Sequence, residues 1–115
     1  MLGFNVTLTY EDGYLPEEWE QAKKDLRNWM RRVVLAACKA FGVKKADIRF
    51  MGLTACGRKA GRFDHHILVE CTGLTMRQNA QFRQILEDKW AQRQPDGSYE
   101  PMGTANADRL NLQNR

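Results

Sequence analysis

From Phe4 to Tyr10 the chain alternates apolar Phe4, Val6, Leu8 and Tyr10 with polar Asn5, Thr7 and Thr9, whereas from Trp19 to Phe41 its apolar residues recur every three or four positions. The first period is that of a strand buried on one face, the second that of a helix with one buried side. Trp19, Ala22, Leu26, Trp29, Val33, Ala37 and Phe41 make up that side, and Lys23, Lys24, Arg27, Arg31 and Arg32 fall largely elsewhere. A chain that opens this way has to lay a helix on a sheet to bury both surfaces.

The punctuation extends the pattern. Pro16 suits a first helical turn, with Glu17 and Glu18 near the positive end of the helix dipole, and Gly42 is the expected stop. The segments 47–54 (DIRFMGLT) and 62–71 (RFDHHILVEC) read as two more strands, joined by the basic, glycine-bounded CGRKAG as a hairpin loop. Thr75 followed by Gln78 predicts a capping box opening a second helix, whose buried side is Phe82, Ile85, Leu86 and Trp90. A PDGSY turn then leads to a last extended piece over 106–112. The order β-α-β-β-α-β predicts a ferredoxin-like α+β sandwich over residues 1–115, an antiparallel sheet with both helices on one face. The tryptophans, all in apolar stripes, are expected to be core anchors.

With 115 residues and 43% hydrophobic content the chain supports one core. Its 18 Lys and Arg against 14 Asp and Glu give a net charge of +4, which favours a polyanionic partner. Three cysteines, Cys38, Cys56 and Cys71, form no CxxC pair and no disulfide framework, which suits a reducing compartment. No apolar run approaches the roughly 20 residues that span a bilayer, and MLGFNVTLTY lacks the marks of a secretory leader. A cytoplasmic protein with no membrane contact is expected.

Strand parity then locates a candidate surface. With Phe4, Val6 and Leu8 turned to the helices, Thr7 and Thr9 line the open side of the sheet; with Phe63, His65, Ile67 and Val69 turned inward, Asp64, His66, Leu68 and Glu70 face outward. Asp64 and His66 therefore converge on one face, near enough to share an ion or a phosphate, and His65 does not join them.

VTLTYEDGYLP, DLRNWMRRV, IRFMGLTACGRKAGRFDHHILVEC and the tail NADRL, which follows the L-x-x-x-W of Leu86 to Trp90, together resemble the N-terminal HUH endonuclease domain of rolling-circle replication initiators (Rep proteins) of phages, plasmids and integrative elements. In that family two histidines, commonly with a third polar ligand, hold a divalent cation that polarises the scissile phosphate, and a tyrosine on a later helix attacks phosphorus. The resemblance places Asp64 in the first histidine slot and His66 in the second. A carboxylate binds Mg²⁺ or Mn²⁺, so Asp64 and His66 are the candidate metal ligands. The third-ligand position falls near Ala55, and its neighbours Thr54 and Cys56 are poor ligands for a hard cation. Glu70 lies on the right face but about 13 Å along the strand from His66. The tyrosines present, Tyr10, Tyr14 and Tyr99, lack the helical setting of the family's nucleophile and are weak candidates for it.

The resemblance with these departures implies a nucleic-acid-binding Rep-like domain of a mobile genetic element, its strand cleavage degenerate or absent. Its partner would be single-stranded or hairpin DNA, held by Thr7, Thr9, Arg58, Lys59 and Arg62 and by the helix cations Lys24, Arg27 and Arg31. Two alternatives stay open: a metal-dependent single-strand endonuclease, and a small mobile-element protein that binds and inhibits a host nucleic-acid enzyme such as a CRISPR effector.

Overall fold

Strand β1 (Leu2–Leu8) leads through a short 3-10 turn at Asp12–Tyr14 into helix α1 (Trp19–Phe41). The antiparallel pair β2 (Ile48–Cys56) and β3 (Phe63–Cys71) follows, then α2 (Met76–Asp88), a small hairpin of β4 (Ala91–Arg93) and β5 (Tyr99–Pro101), and β6 (Ala105–Asn111). This computed structural model describes residues 2–56 and 62–111. The main sheet runs in the order β2-β3-β1-β6 with every neighbouring pair antiparallel. With the small hairpin set aside, this is the ferredoxin-like α+β arrangement that the order of periods predicts.

The inward face of the sheet carries Phe4, Val6 and Leu8 of β1 and Ile67 and Val69 of β3, packed with Trp29, Val33 and Ala37 of α1 and Phe82 and Leu86 of α2. Each large side chain buried here contributes about 1.5–3 kcal/mol by leaving water. Trp29 buries its ring without stranding its polar edge, because Nε1 donates to the Leu86 carbonyl at 2.9 Å and so ties α1 to α2. Both expected caps form. Gly42 sits at φ 69° at the end of α1, and Thr75 and Gln78 exchange side-chain and backbone hydrogen bonds at the start of α2.

Several boundaries depart from the sequence reading, each for a local reason. β1 stops at Leu8 rather than Tyr10 because the next amides bond to the segment before β6: Thr9 N to Thr104 O at 2.9 Å and Glu11 N to Met102 O at 2.8 Å. α1 begins at Trp19, three residues beyond Pro16, so Pro16 belongs to the connection and Glu18 occupies the cap position. Trp19, at the first turn, is 43% exposed and meets Phe63 edge to face; it is no core anchor, unlike Trp29 and Trp90. Trp90 itself follows α2, which is capped at Lys89. Asp47 lies in a 3-10 turn before β2, where its carboxylate accepts from the Lys44 amide. The PDGSY turn joins β4 to β5, a hairpin that the sequence reading took for a plain connection. The basic loop at 57–61 lies outside the described residues, as do residues 112–115. Among the described residues no helix is long and apolar enough to cross a membrane.

Candidate functional site

The open face of the sheet is built by the register. His66 pairs with Thr7, and Thr7 pairs on its other side with Asn106, while Leu68 pairs with Asn5 and Met51. Directly paired residues point the same way, so these side chains form rows across one surface. Asp64 and His66 share that surface as parity predicts, with His66 Nε2 3.4 Å from Asp64 Oδ2. Thr9 is drawn away toward the sheet's end, where its hydroxyl faces the Thr104 carbonyl at 3.4 Å. Glu70 pairs with Arg49 at 3.8 Å. Among the described residues no group of three or more His, Cys, Asp and Glu side chains comes together. Asp64, Glu70 and Asp108 face outward here against Arg49 and His66. Among the described residues, then, the surface expected to meet phosphate carries no excess of basic side chains.

The cations lie elsewhere. Lys24, Arg27 and Arg31 stand three and seven residues apart on α1, on the side opposite buried Ala22, Trp29, Val33 and Ala37, and all three are exposed. Among the described residues none of the three is held in an ion pair. Arg62, expected to serve the loop, is committed internally: its guanidinium bonds to the Asp12 carboxylate and, at 2.7 Å, to the Tyr10 carbonyl, pinning the 3-10 turn to the entry of β3. Arg58 and Lys59 lie outside the described residues.

None of the three tyrosines lies on an α-helix. Tyr14, in the 3-10 turn, donates to Glu100 of β5, and Tyr99 lies under Arg32, whose guanidinium carbon is 5.0 Å from the ring centre. Tyr10 is buried, and burial first, then the neighbouring Asp25, pushes its hydroxyl well above the ordinary phenol range. A tyrosine held this way stays protonated and out of reach of a substrate.

What surrounds Tyr10 was not foreseen from the sequence, which placed His65 inward without giving it partners. His65 is fully buried, with Nδ1 2.8 Å from Thr54 Oγ1 and Nε2 3.0 Å from Tyr10 Oη, and Tyr10 Oη lies 2.9 Å from Asp25 Oδ2. The directions follow from what each group can do. The Asp25 carboxylate only accepts, so Tyr10 donates to it; Tyr10 oxygen then accepts from His65 Nε2–H, leaving Nδ1 to accept from the Thr54 hydroxyl. Burial holds the imidazole pKa down to about 4, so this neutral tautomer is the resting form at pH 7. Trp90 packs edge to face on both rings, at 5.0 Å from Tyr10 and 5.5 Å from His65. The signal that could have found the cluster was the register itself, since Thr54 and His65 are direct cross-strand partners on the inward face.

The chain ends at Asp25 on the surface, where a small polar cleft of about 210 Å³ opens between α1 and the hairpin, lined in part by Gln21, Lys24, Asn28 and Arg93. Gln21 donates to the other carboxylate oxygen of Asp25 at 2.8 Å. Every polar atom along the relay has its partner, and the cluster ties α1 to the sheet.

No family model matches the chain, and no curated protein matches it. Among solved structures, a phage SAM lyase in complex with S-methyl-5'-thioadenosine aligns over 99% of this chain and 92% of its own, at 14% identity and a TM-score of 0.38. A likeness of that degree carries no argument about function.

Proposed function

We propose that the chain is a nucleic-acid-binding domain of a mobile genetic element, Rep-like in descent, that holds single-stranded or hairpin DNA through the outer flank of α1. The observation that carries this reading is the stripe of Lys24, Arg27 and Arg31, three exposed cations on one helix face. Phosphate contacts by Lys and Arg supply most of the affinity of such a surface and require no base recognition. The motif resemblance to Rep proteins supports the choice of nucleic acid over other polyanions.

Asp64 and His66, on the open face of the sheet and away from that flank, are the pair that would hold Mg²⁺ or Mn²⁺, leaving most of the coordination sphere to water. Binding is therefore the proposed activity, and cleavage is not. The test is a titration of fluorescent single-stranded and hairpin oligonucleotides at increasing salt, on the parent and on the combined variant Lys24→Glu, Arg27→Glu, Arg31→Glu. Three phosphate contacts predict a slope of log K against log salt of about −2 for single strands. The variant should lose measurable binding. Absence of binding at low salt, or equal affinity in parent and variant, would end the proposal.

A further inference from the structure

Strand β2 stands at one edge of the main sheet and is paired only with β3, so along its nine residues the outer backbone groups have no strand partner among the described residues. Exposed edges are usually blunted by lysine, proline or short length. β2 is long, has no proline, and carries Arg49 as its one charge.

Apolar surface flanks this edge on both sides. On the open face Met51 is 73% exposed beside its cross-strand partner Leu68, 43% exposed, and a depression of about 510 Å³ runs over them toward Leu110. On the helix side a second depression, of about 450 Å³, lies between α1 and β2 on a floor of Met30, Val34, Ile48 and Phe50. Its rim is cationic: Arg27, Arg31 and Lys45 are exposed around it, and none takes part in an ion pair among the described residues.

From this we infer that β2 is a docking edge for an extended acidic segment of a partner protein, which adds to the sheet as a further strand. A strand turns alternate side chains to opposite faces. One set would lie on Met51 and Leu68 and should be apolar; the other would enter the groove beneath Arg27, Arg31 and Lys45 and should be acidic. Charge selects this occupant over the others. A second copy of the chain pairing through the same edge would bring two sets of these cations together. The chain's own segments outside the described residues, 57–61 and 112–115, contain Arg58, Lys59 and Arg115 and no acidic side chain. The inference goes beyond nucleic-acid binding because it needs the main chain of β2, to which a phosphate backbone is indifferent.

The probe is a capped, fluorescent peptide of alternating valine and glutamate, with three controls: lysine in place of glutamate, and two versions N-methylated at one or the other set of alternate amides. Only one of those sets faces β2. The parent peptide should bind saturably, the lysine peptide should not, and one N-methylated peptide should lose roughly tenfold or more in affinity while the other keeps it. Arg31→Glu should weaken the parent peptide as well. Failure of the parent peptide to saturate, or equal binding by both N-methylated peptides, overturns the inference whatever the oligonucleotide titration gives. Dimerisation of the free chain that is abolished by Met51→Lys would also overturn it, by making the occupant a second copy.

Discussion

His65 Nε2 lies 3.0 Å from Tyr10 Oη inside the sandwich, and the imidazole is held neutral by burial, with its pKa lowered from 6.5 to about 4. In the unfolded chain the same ring protonates near 6.5, so between about pH 6.5 and 4 the unfolded state binds more protons than the folded state. Stability is therefore complete above that window and falls as pH drops through it, by roughly 1 kcal/mol per pH unit. Denaturant titrations from pH 7.5 to 4.5 should show this slope in the parent and a flatter one in His65→Phe, referred to each protein's own value at pH 7.5. Parallel slopes would mean that the carboxylates alone set the acid limit.

Tyr10→Phe keeps the ring against Trp90, 5.0 Å away, and removes only the hydroxyl between His65 and Asp25. The His65 Nε2–H is then buried without an acceptor. Leaving such a donor unsatisfied costs about 1–3 kcal/mol, so the variant should unfold at lower denaturant with an unchanged m-value. A loss below about 0.5 kcal/mol would show that the imidazole readily finds another partner.

The elements of the sandwich were legible because their periods are long and clean: the β1 alternation, the α1 stripe and the capping box at Thr75 are local signals. The placement of Asp64 and His66 on one face was legible for the same reason, since parity is arithmetic. What could not be read was set by contacts between distant residues. Tyr10 leaves β1 because residues 102–104 take its neighbours' amides, and Arg62 turns inward because Asp12 and the Tyr10 carbonyl meet it. The His65 relay joins residues from two strands, the end of a third and a helix, a convergence that no single window of sequence displays.

Asp64 and His66 sit 3.4 Å apart on the open face, close enough to bind one ion between them. A cation that binds only the folded form stabilises it by about 0.4 kcal/mol when its concentration equals the dissociation constant, on the order of 2 °C in melting temperature for a chain of this size. Manganese should therefore raise the melting temperature of the parent slightly, and His66→Ala and Asp64→Asn should each remove the rise. Equal shifts in all three proteins would place manganese elsewhere on the molecule.

At Gly103 two backbone segments cross closely. A β-carbon built there would overlap the Thr9 carbonyl oxygen and lie 2.7 Å from Tyr10 Cα, both backbone atoms that cannot swing aside as a side chain could. The segment is also bonded in place on both sides, by Thr104 O to the Thr9 amide and by Met102 O to the Glu11 amide. Trp90 Nε1 donates to the same Thr9 carbonyl at 2.7 Å, so displacing that oxygen disturbs the ring that packs on Tyr10 and His65. Relief requires moving the chain beyond β1 or the chain before β6, with loss of at least one backbone hydrogen bond and of aromatic packing. Gly103→Ala should cost about 3 kcal/mol or more. Gly13→Ala, where a β-carbon meets nothing within 4 Å, is the control and should change stability by less than about 0.5 kcal/mol. Denaturation midpoints for the two variants should separate widely; if Gly103→Ala unfolds with the parent, the close crossing of residues 9 and 103 is not a feature of the folded protein.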